Sequence, residues 1–396
     1  MPEHQLTETK EQAIVNGFQA ILRHVRQHGL TNDIEAIEGW IGHVQDPVTQ
    51  GEMARLLGFF WLRRGNTAKA VHYSDMASGL RPDDTDSVYN SMYALLQAGH
   101  WAEVIPRGQV ANARFGERFQ WHNILCTAYG HLDRMIEARR HGTRSLELKD
   151  AASMGPANDL SQVAVPAFDG KNPGRNVISF SLFGNNERYI RTAILNARAA
   201  RFVYLGWVCH FYVDDSVPVQ VIQALGGEGA RVLKVQGLPA QPYGTFWRFL
   251  VADDPEVDRF LIRDADSVIN VREHAAVQEW LESGRHFHVM RDHFDHDELI
   301  LAGMWGGVRD ALPKMIPLAQ RYIASRSDVI GRSADQEFLR DQLWPTIRAS
   351  VMAHDSQFAF GEWRDFPAVG RLPRGSYVGC DGRAMLDLRP APVPAG

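Results

Sequence analysis

Apolar residues from position 11 to about 150 recur at helical spacing, without strand-like alternation, and short Gly, Asn or Pro-Asp breaks interrupt them. This part of the chain is expected to be helix after helix. From Ala151 to Gly174 the periodicity lapses into Gly, Pro, Ser, Asn and Asp, as in Met154-Gly-Pro-Ala-Asn and Gly170-Lys-Asn-Pro-Gly, which reads as a linker. Beyond it, short apolar, β-branched and aromatic runs appear at 176–182, 210–213, 230–235, 258–262 and 286–290. They alternate with helical stretches at 187–200, 218–225, 246–252 and 272–283. Such alternation predicts an α/β domain, a largely parallel sheet with helices on both faces. Ligands of such sheets gather beyond the carboxyl ends of the strands. The expected organisation is a helical domain over 1–150, a linker over 151–174 and an α/β domain over 175–396.

Within the helical part a period emerges. Between Gly51 and Asp84, Leu57-Gly58 is followed by Trp61, Gly65, Ala70, Ala77 and Pro82. Small residues suit the points where two helices cross, Trp61 suits the groove between them, and Pro82 suits a helix end. A step of about 34 residues leads to Gly99 and Ala111, and a further step to Leu125, Tyr129 and Ala138. Ile14 to Val44 keeps Ala36 and Trp40 as remnants of a first copy. The pattern resembles the tetratricopeptide repeat (TPR). That resemblance implies a curved solenoid whose concave face binds a peptide or partner protein, unless the face only packs or dimerises.

Composition narrows the function classes. The 396 residues carry 42 Lys+Arg against 47 Asp+Glu, a formal charge of −5, which argues against a dedicated nucleic-acid binder. Hydrophobic residues make up 45%, ordinary for a globular chain and too many for intrinsic disorder. The cysteines are Cys126, Cys209 and Cys380, widely separated and odd in number, so neither a disulfide framework nor a Cys-rich zinc site is expected. The first ten residues are polar, and no apolar run approaches the ~18 residues of a membrane span. A cytoplasmic protein is expected.

Two predicted strands end in paired acids. The first, at 210–213, runs into Asp214-Asp215, and the second, Arg259-Phe-Leu-Ile, runs into Arg263-Asp264-Ala265-Asp266-Ser267. Asp264 and Asp266, two apart at the end of a buried strand, suit a hard divalent cation whose shell phosphate oxygens complete. A solvated loop capping a helix is the alternative. No P-loop, no Gly-x-Gly-x-x-Gly after a strand and no Gly-x-Ser-x-Gly elbow is present. The His-rich tract from His286 to His296 lacks the Cys partners or His-Glu-x-x-His helix of a zinc site.

The stretch from Arg263 through Trp280-Leu281 resembles bacterial glycosyltransferases of the GT-A type, and further blocks follow in order. They are His288-Val-Met-Arg-Asp-His293, Ala302-Gly-Met-Trp-Gly306, Asp335-Gln-Glu-Phe-Leu339 and His354-Asp-Ser356, so the resemblance spans about residues 176 to 365. Where the family often has Arg after Ser267, this chain has Val268. The resemblance implies a GT-A-like, Rossmann-related domain moving a sugar from a nucleotide-diphosphate donor to an acceptor hydroxyl. The nucleoside is expected on the loop from Ser179 and Phe180 and on Tyr189, with Asp214 receiving ribose hydroxyls or the base. Asp264 and Asp266 are expected to hold Mn²⁺ or Mg²⁺, His354 to complete that site, and Arg263 to pair with the diphosphate or with a helix acid. Asp292, His293 and Asp335 are the candidate general bases; Asp292 alternatively pairs with Arg291, and Asp335 alternatively caps a helix. Trp305 suits a sugar-stacking wall or the core. The acceptor is expected to be a protein presented by the repeats, or a surface polysaccharide. The remaining alternative is a non-catalytic scaffold with a degenerate second domain.

Overall fold

A computed structural model describes residues 2–326, 334–369, 372–373 and 375–382. Contacts divide the chain into two units, Met1–Leu148 and Lys149–Gly396.

The first unit is a series of helix pairs: α1 (Pro2–His28), α2 (Ala36–Trp40), α3 (Pro47–Arg63), α4 (Thr67–Leu80), α5 (Thr85–Gln97), α6 (Trp101–Phe115), α7 (Phe119–His131) and α8 (Met135–Ala152). Asp46 starts α3 by accepting from the amides of Val48 and Thr49, ahead of Pro47 in the first turn, and Asn66 starts α4 by accepting from Lys69 N. Between them Gly65 takes φ +74°, the left-handed conformation that lets the chain reverse. The small residues stand at the crossings. A Cβ on Gly58 would lie 2.4 Å from Ser74 Oγ, and one on Gly108 would lie 2.8 Å from Leu125 Cδ2. Ala70, Ala77 and Ala111 are likewise buried. Trp61 is half-buried against the first core and donates to Glu38 Oε1 at 2.6 Å. The region is TPR-like. In its first copy the second helix is cut to five residues, with 3₁₀ turns on either side.

The second unit is a mixed α/β sheet domain. Its elements are β1 (Asn176–Leu182), α9 (Glu187–Val203), β2 (Val208–Val213), α10 (Val219–Gly227), β3 (Arg231–Lys234), α11 (Ala240–Tyr243), β4 (Arg259–Arg263), α12 (Val271–Glu282), β5 (Phe287–Arg291), β6 (Met304–Val308), α13 (Met315–Ser325), α14 (Ala334–Phe338), α15 (Trp344–Ile347), β7 (Val351–Asp355) and β8 (Trp363–Arg364). The strand order is β3-β2-β1-β4-β6-β5-β7-β8. β3, β2, β1 and β4 run parallel, as do β5, β7 and β8, while β6 lies antiparallel between β4 and β5. β1 and β4 are buried throughout, so helix-covered central strands read as continuous apolar runs rather than alternating ones. From β1 the chain winds outward to β3 and then returns to β4 on the other side of β1. That reversal makes the carboxyl ends of β1 and β4 the switch point of the sheet, the place where doubly wound sheets bind ligands.

Two local expectations are corrected. Residues 246–252 belong to a 3₁₀ stretch, Gly244–Asp253, rather than an α-helix. The glycine-rich segment at 303–307, which its glycines kept from reading as a strand, supplies most of β6: a Cβ on Gly306 would meet the Phe260 carbonyl oxygen at 2.7 Å, and one on Gly307 would meet the Phe260 and Phe287 rings at 2.9 Å. Its glycines let β6 fit tightly between neighbours. Trp305 is fully buried, edge-on to Phe260 with ring centroids 5.4 Å apart, and therefore belongs to the core rather than to a sugar platform.

Candidate functional site

Asp264 follows the last residue of β4, and Asp266 lies two residues on, in the turn before α12. Each carboxylate meets a guanidinium. Arg248 Nη1 donates to Asp264 Oδ1, while its Nη2 donates to Asp335 Oδ2 at 2.6 Å. Arg188 Nη2 lies 2.6 Å from Asp266 Oδ2 and 2.8 Å from Asp381 Oδ2. Four carboxylates thus share two guanidiniums, and the cluster carries an excess of negative charge. Burial pushes the Asp266 carboxyl above its ordinary value, and the neighbouring Asp264 adds to the rise while Arg188 opposes it. Asp335 is also raised by burial and by Asp264, with Arg248 pulling it down.

Arg248 was not singled out from the sequence. It is seated from both sides by β1: Ser179 Oγ donates to its carbonyl at 2.6 Å, and its own amide donates to Ser181 Oγ at 2.9 Å. A strand with serines on one face, otherwise buried, was the available signal. Gly303, just ahead of β6, makes room at this site. A Cβ at that position would stand 2.0 Å from Asp264 Oδ2, so only glycine leaves this carboxylate its place.

Several expected site residues stand elsewhere. Ser179 is fully buried and committed to Arg248, and Phe180 is fully buried and stacked on Phe211 at 4.6 Å, so both belong to the interior around β1 rather than face a nucleoside. Arg263 is 1% exposed and turns inward to Glu273 of α12 at 3.1 Å, with Tyr204 donating to the same carboxylate at 2.8 Å, so of its two expected partners it takes the helix acid and not the diphosphate. His354 is buried in a chain of its own. His288 Nε2 lies 2.8 Å from its Nδ1 and Glu279 Oε2 lies 3.1 Å from its Nε2, so both ring nitrogens are taken and it does not join the aspartates. Asp292 pairs with Arg272 at 2.9 Å, not with Arg291, and also accepts from Ser356 Oγ at 2.6 Å and Val378 N at 3.0 Å. That carboxylate clamps three segments together, with two donors on each of its oxygens. His293 stacks on Tyr377, centroids 4.0 Å apart.

Other expected residues lie past the carboxyl ends of β1 and β2. Asp214, past the end of β2, accepts from Ser216 N at 3.0 Å, and Ser216 Oγ accepts from Gly184 N at 2.6 Å, tying the loops after β1 and β2 together. Tyr189 is half-buried in the first turn of α9, with the Arg188 guanidinium 5.3 Å from its ring. Asp335 alone of the three base candidates remains joined to the aspartate pair. Among the described residues no group of three or more His, Cys, Asp or Glu side chains is arranged to hold a metal ion by itself. No described helix is long and apolar enough to cross a membrane.

No family model matches the chain. No curated protein matches it. Among solved structures it is similar to MamA from Desulfovibrio magneticus RS-1, at 18% identity over 34% of this chain and 75% of that one, with a TM-score of 0.30. It is also similar to a Thermobaculum terrenum O-GlcNAc transferase mutant, at 17% identity over 65% of this chain and 46% of that one, with a TM-score of 0.38.

Proposed function

We propose that this chain is a glycosyltransferase of GT-A type that moves a sugar from a nucleoside-diphosphate donor to an acceptor hydroxyl. The observation that carries the reading is the acidic pair Asp264 and Asp266 at the carboxyl end of β4, at the point where the strand order reverses. The donor set fits a hard divalent cation: oxygen ligands only, an excess of carboxylates over guanidiniums, and a glycine that preserves room for Asp264. Two carboxylates are enough where phosphate oxygens and water complete the shell. Bound there, Mn²⁺ or Mg²⁺ supplies Lewis-acid neutralisation of the departing diphosphate.

The chain's own groups divide the remaining work. Asp214 and the loop it shares with Gly184 receive the nucleoside, with Tyr189 beside them. Asp335 takes the proton of the acceptor hydroxyl at its carboxylate, and its raised proton affinity suits that exchange better than an ordinary surface Asp would. Buried Arg248 holds Asp335 and Asp264 in one place. The helical repeats present the acceptor, which this reading takes to be a protein.

The test is hydrolysis and transfer with UDP-, GDP- and dTDP-sugars, with and without Mn²⁺. Metal-dependent turnover of one donor, lost in Asp266→Ala, supports the reading. Failure of the folded wild type to turn over any donor leaves the scaffold alternative in its place.

A further inference from the structure

The chain returns to the aspartate pair near its described C-terminal end. Tyr377 stacks on His293, Val378 N donates to Asp292 Oδ2, Ser267 Oγ donates to the Gly379 carbonyl at 2.9 Å, and Gly382 N donates to the Asp266 carbonyl at 2.7 Å. Ser267 and Asp381 form an antiparallel bridge. A Cβ on Gly382 would lie 2.9 Å from Thr192 Oγ1 and 3.1 Å from Val268 Cγ2, so this strap lies close against α9 and the turn after β4. It brings the Asp381 carboxylate to Arg188.

Arg263, Arg248 and Arg188 stand near the carboxyl end of β4, and their surroundings separate them. Arg263 is sealed inside with Glu273, and the Arg248 side chain is 7% exposed between two acids. Arg188, at 33%, is the one that a ligand reaches, and its Nε is a buried donor without a hydrogen-bond partner among the described residues. Its Nη2 meets both carboxylates and its Nε meets none, so the guanidinium keeps a donor for another acceptor. Val268, next to the strap, has no charge to contribute.

We propose that Arg188 pairs with the donor's diphosphate and that Asp381 of the strap competes with the diphosphate for it. The inference rests on the glycosyltransferase reading and names its phosphate-binding residue. A diphosphate offers the planar guanidinium the same two-point acceptor as a carboxylate, with more charge. Asp266, once its charge is shared with a cation, holds Arg188 less strongly, which leaves Asp381 as the competing acceptor.

The two partners are therefore expected to move affinity in opposite directions. Binding of inorganic pyrophosphate with Mg²⁺ to the full chain, measured by titration calorimetry, is expected to weaken roughly 10- to 100-fold in Arg188→Ala, the range for losing a charge-assisted pair. Arg188→Lys, which keeps the charge without the fork, should fall in between, and Asp381→Asn should bind several-fold more tightly than wild type. Melting curves identify any variant that fails to fold, and Arg188→Lys and Asp381→Asn then carry the test. Pyrophosphate affinity unchanged in the arginine variants overturns the proposal and leaves the glycosyltransferase reading standing. Weaker binding by Asp381→Asn also overturns it, because that carboxylate would then support the ligand rather than compete. A wild type that binds no magnesium pyrophosphate overturns both.

Discussion

Replacing Gly303 by alanine separates the site from the fold that carries it. The new Cβ would stand 2.0 Å from Asp264 Oδ2 and 2.4 Å from its Cγ, where real Cβ atoms keep at least about 3 Å, so the carboxylate must retreat by about 1 Å or more. Its side chain is 40% exposed and has room to swing outward, away from Arg248. The overlap and the lost surface-side pair together cost about 1–2 kcal/mol. For a unit of this size that lowers the melting temperature by roughly 2–8 °C. Cation and nucleoside-diphosphate binding should fall by more than about tenfold, since a displaced ligand loses over 1.4 kcal/mol of interaction. Gly306→Ala provides the contrast. There the Cβ would meet the Phe260 backbone carbonyl at 2.7 Å within the β4–β6 pair, where neither strand can yield, and stability should fall by about 3 kcal/mol. Calorimetric melting and Mn²⁺ titration of both variants form the assay. If Gly303→Ala binds Mn²⁺ and nucleotide within twofold of wild type, Asp264 is not a cation ligand and the reasoning fails.

Three further outcomes are expected. Asp335 must be ionised to accept a proton, so activity should rise with pH through its carboxyl, which lies above the usual Asp value; Arg248→Gln, by removing the charge that holds it down, should move that acid limb to higher pH, and an unmoved limb removes Asp335 as the base. Asp297 is raised by burial to about 7, so the native carboxyl binds its proton more tightly than the unfolded one and costs stability as pH climbs from about 4 to 7; the melting gain of Asp297→Asn over wild type should be near zero at pH 4 and largest above pH 7, and a gain independent of pH contradicts this. In the helical repeats, Gly58→Ala puts a Cβ 2.4 Å from Ser74 Oγ and 3.1 Å from Ser74 N, and should destabilise the α3–α4 pair by about 1–3 kcal/mol in chemical unfolding, whereas unchanged stability would mean the helices do not cross there.

What the sequence made legible was periodicity and punctuation. The run from Asn176 to Leu182 became β1 without a shift, and Gly58, Ala70 and Ala77 stand at the helix crossing their spacing implied. Acids after an apolar run pointed to the turn at Asp264 and Asp266, since polar residues that end a buried strand emerge at its rim. Orientation was not legible. Arg263 adjoins Asp264 in sequence yet faces the opposite way, and His354 lies on a buried strand whose partners, His288 and Glu279, come from elements distant along the chain. Glycines that fit β6 between packed strands look like loop glycines until the strands on either side are known. Arg248 and Asp381 were missed for the same reason: one meets Asp264 and the other meets Arg188 beside Asp266, each from a segment with no chemistry of its own to mark it.

Direct titration of Mn²⁺ into the full chain, in the presence of UDP, GDP or dTDP, tests the central claim most directly. Saturable Mn²⁺ binding strengthened by one of these nucleotides, and abolished in the Asp264→Asn/Asp266→Asn double variant while melting stays close to wild type, is the expected result. Equal Mn²⁺ and nucleotide binding by the double variant would contradict it.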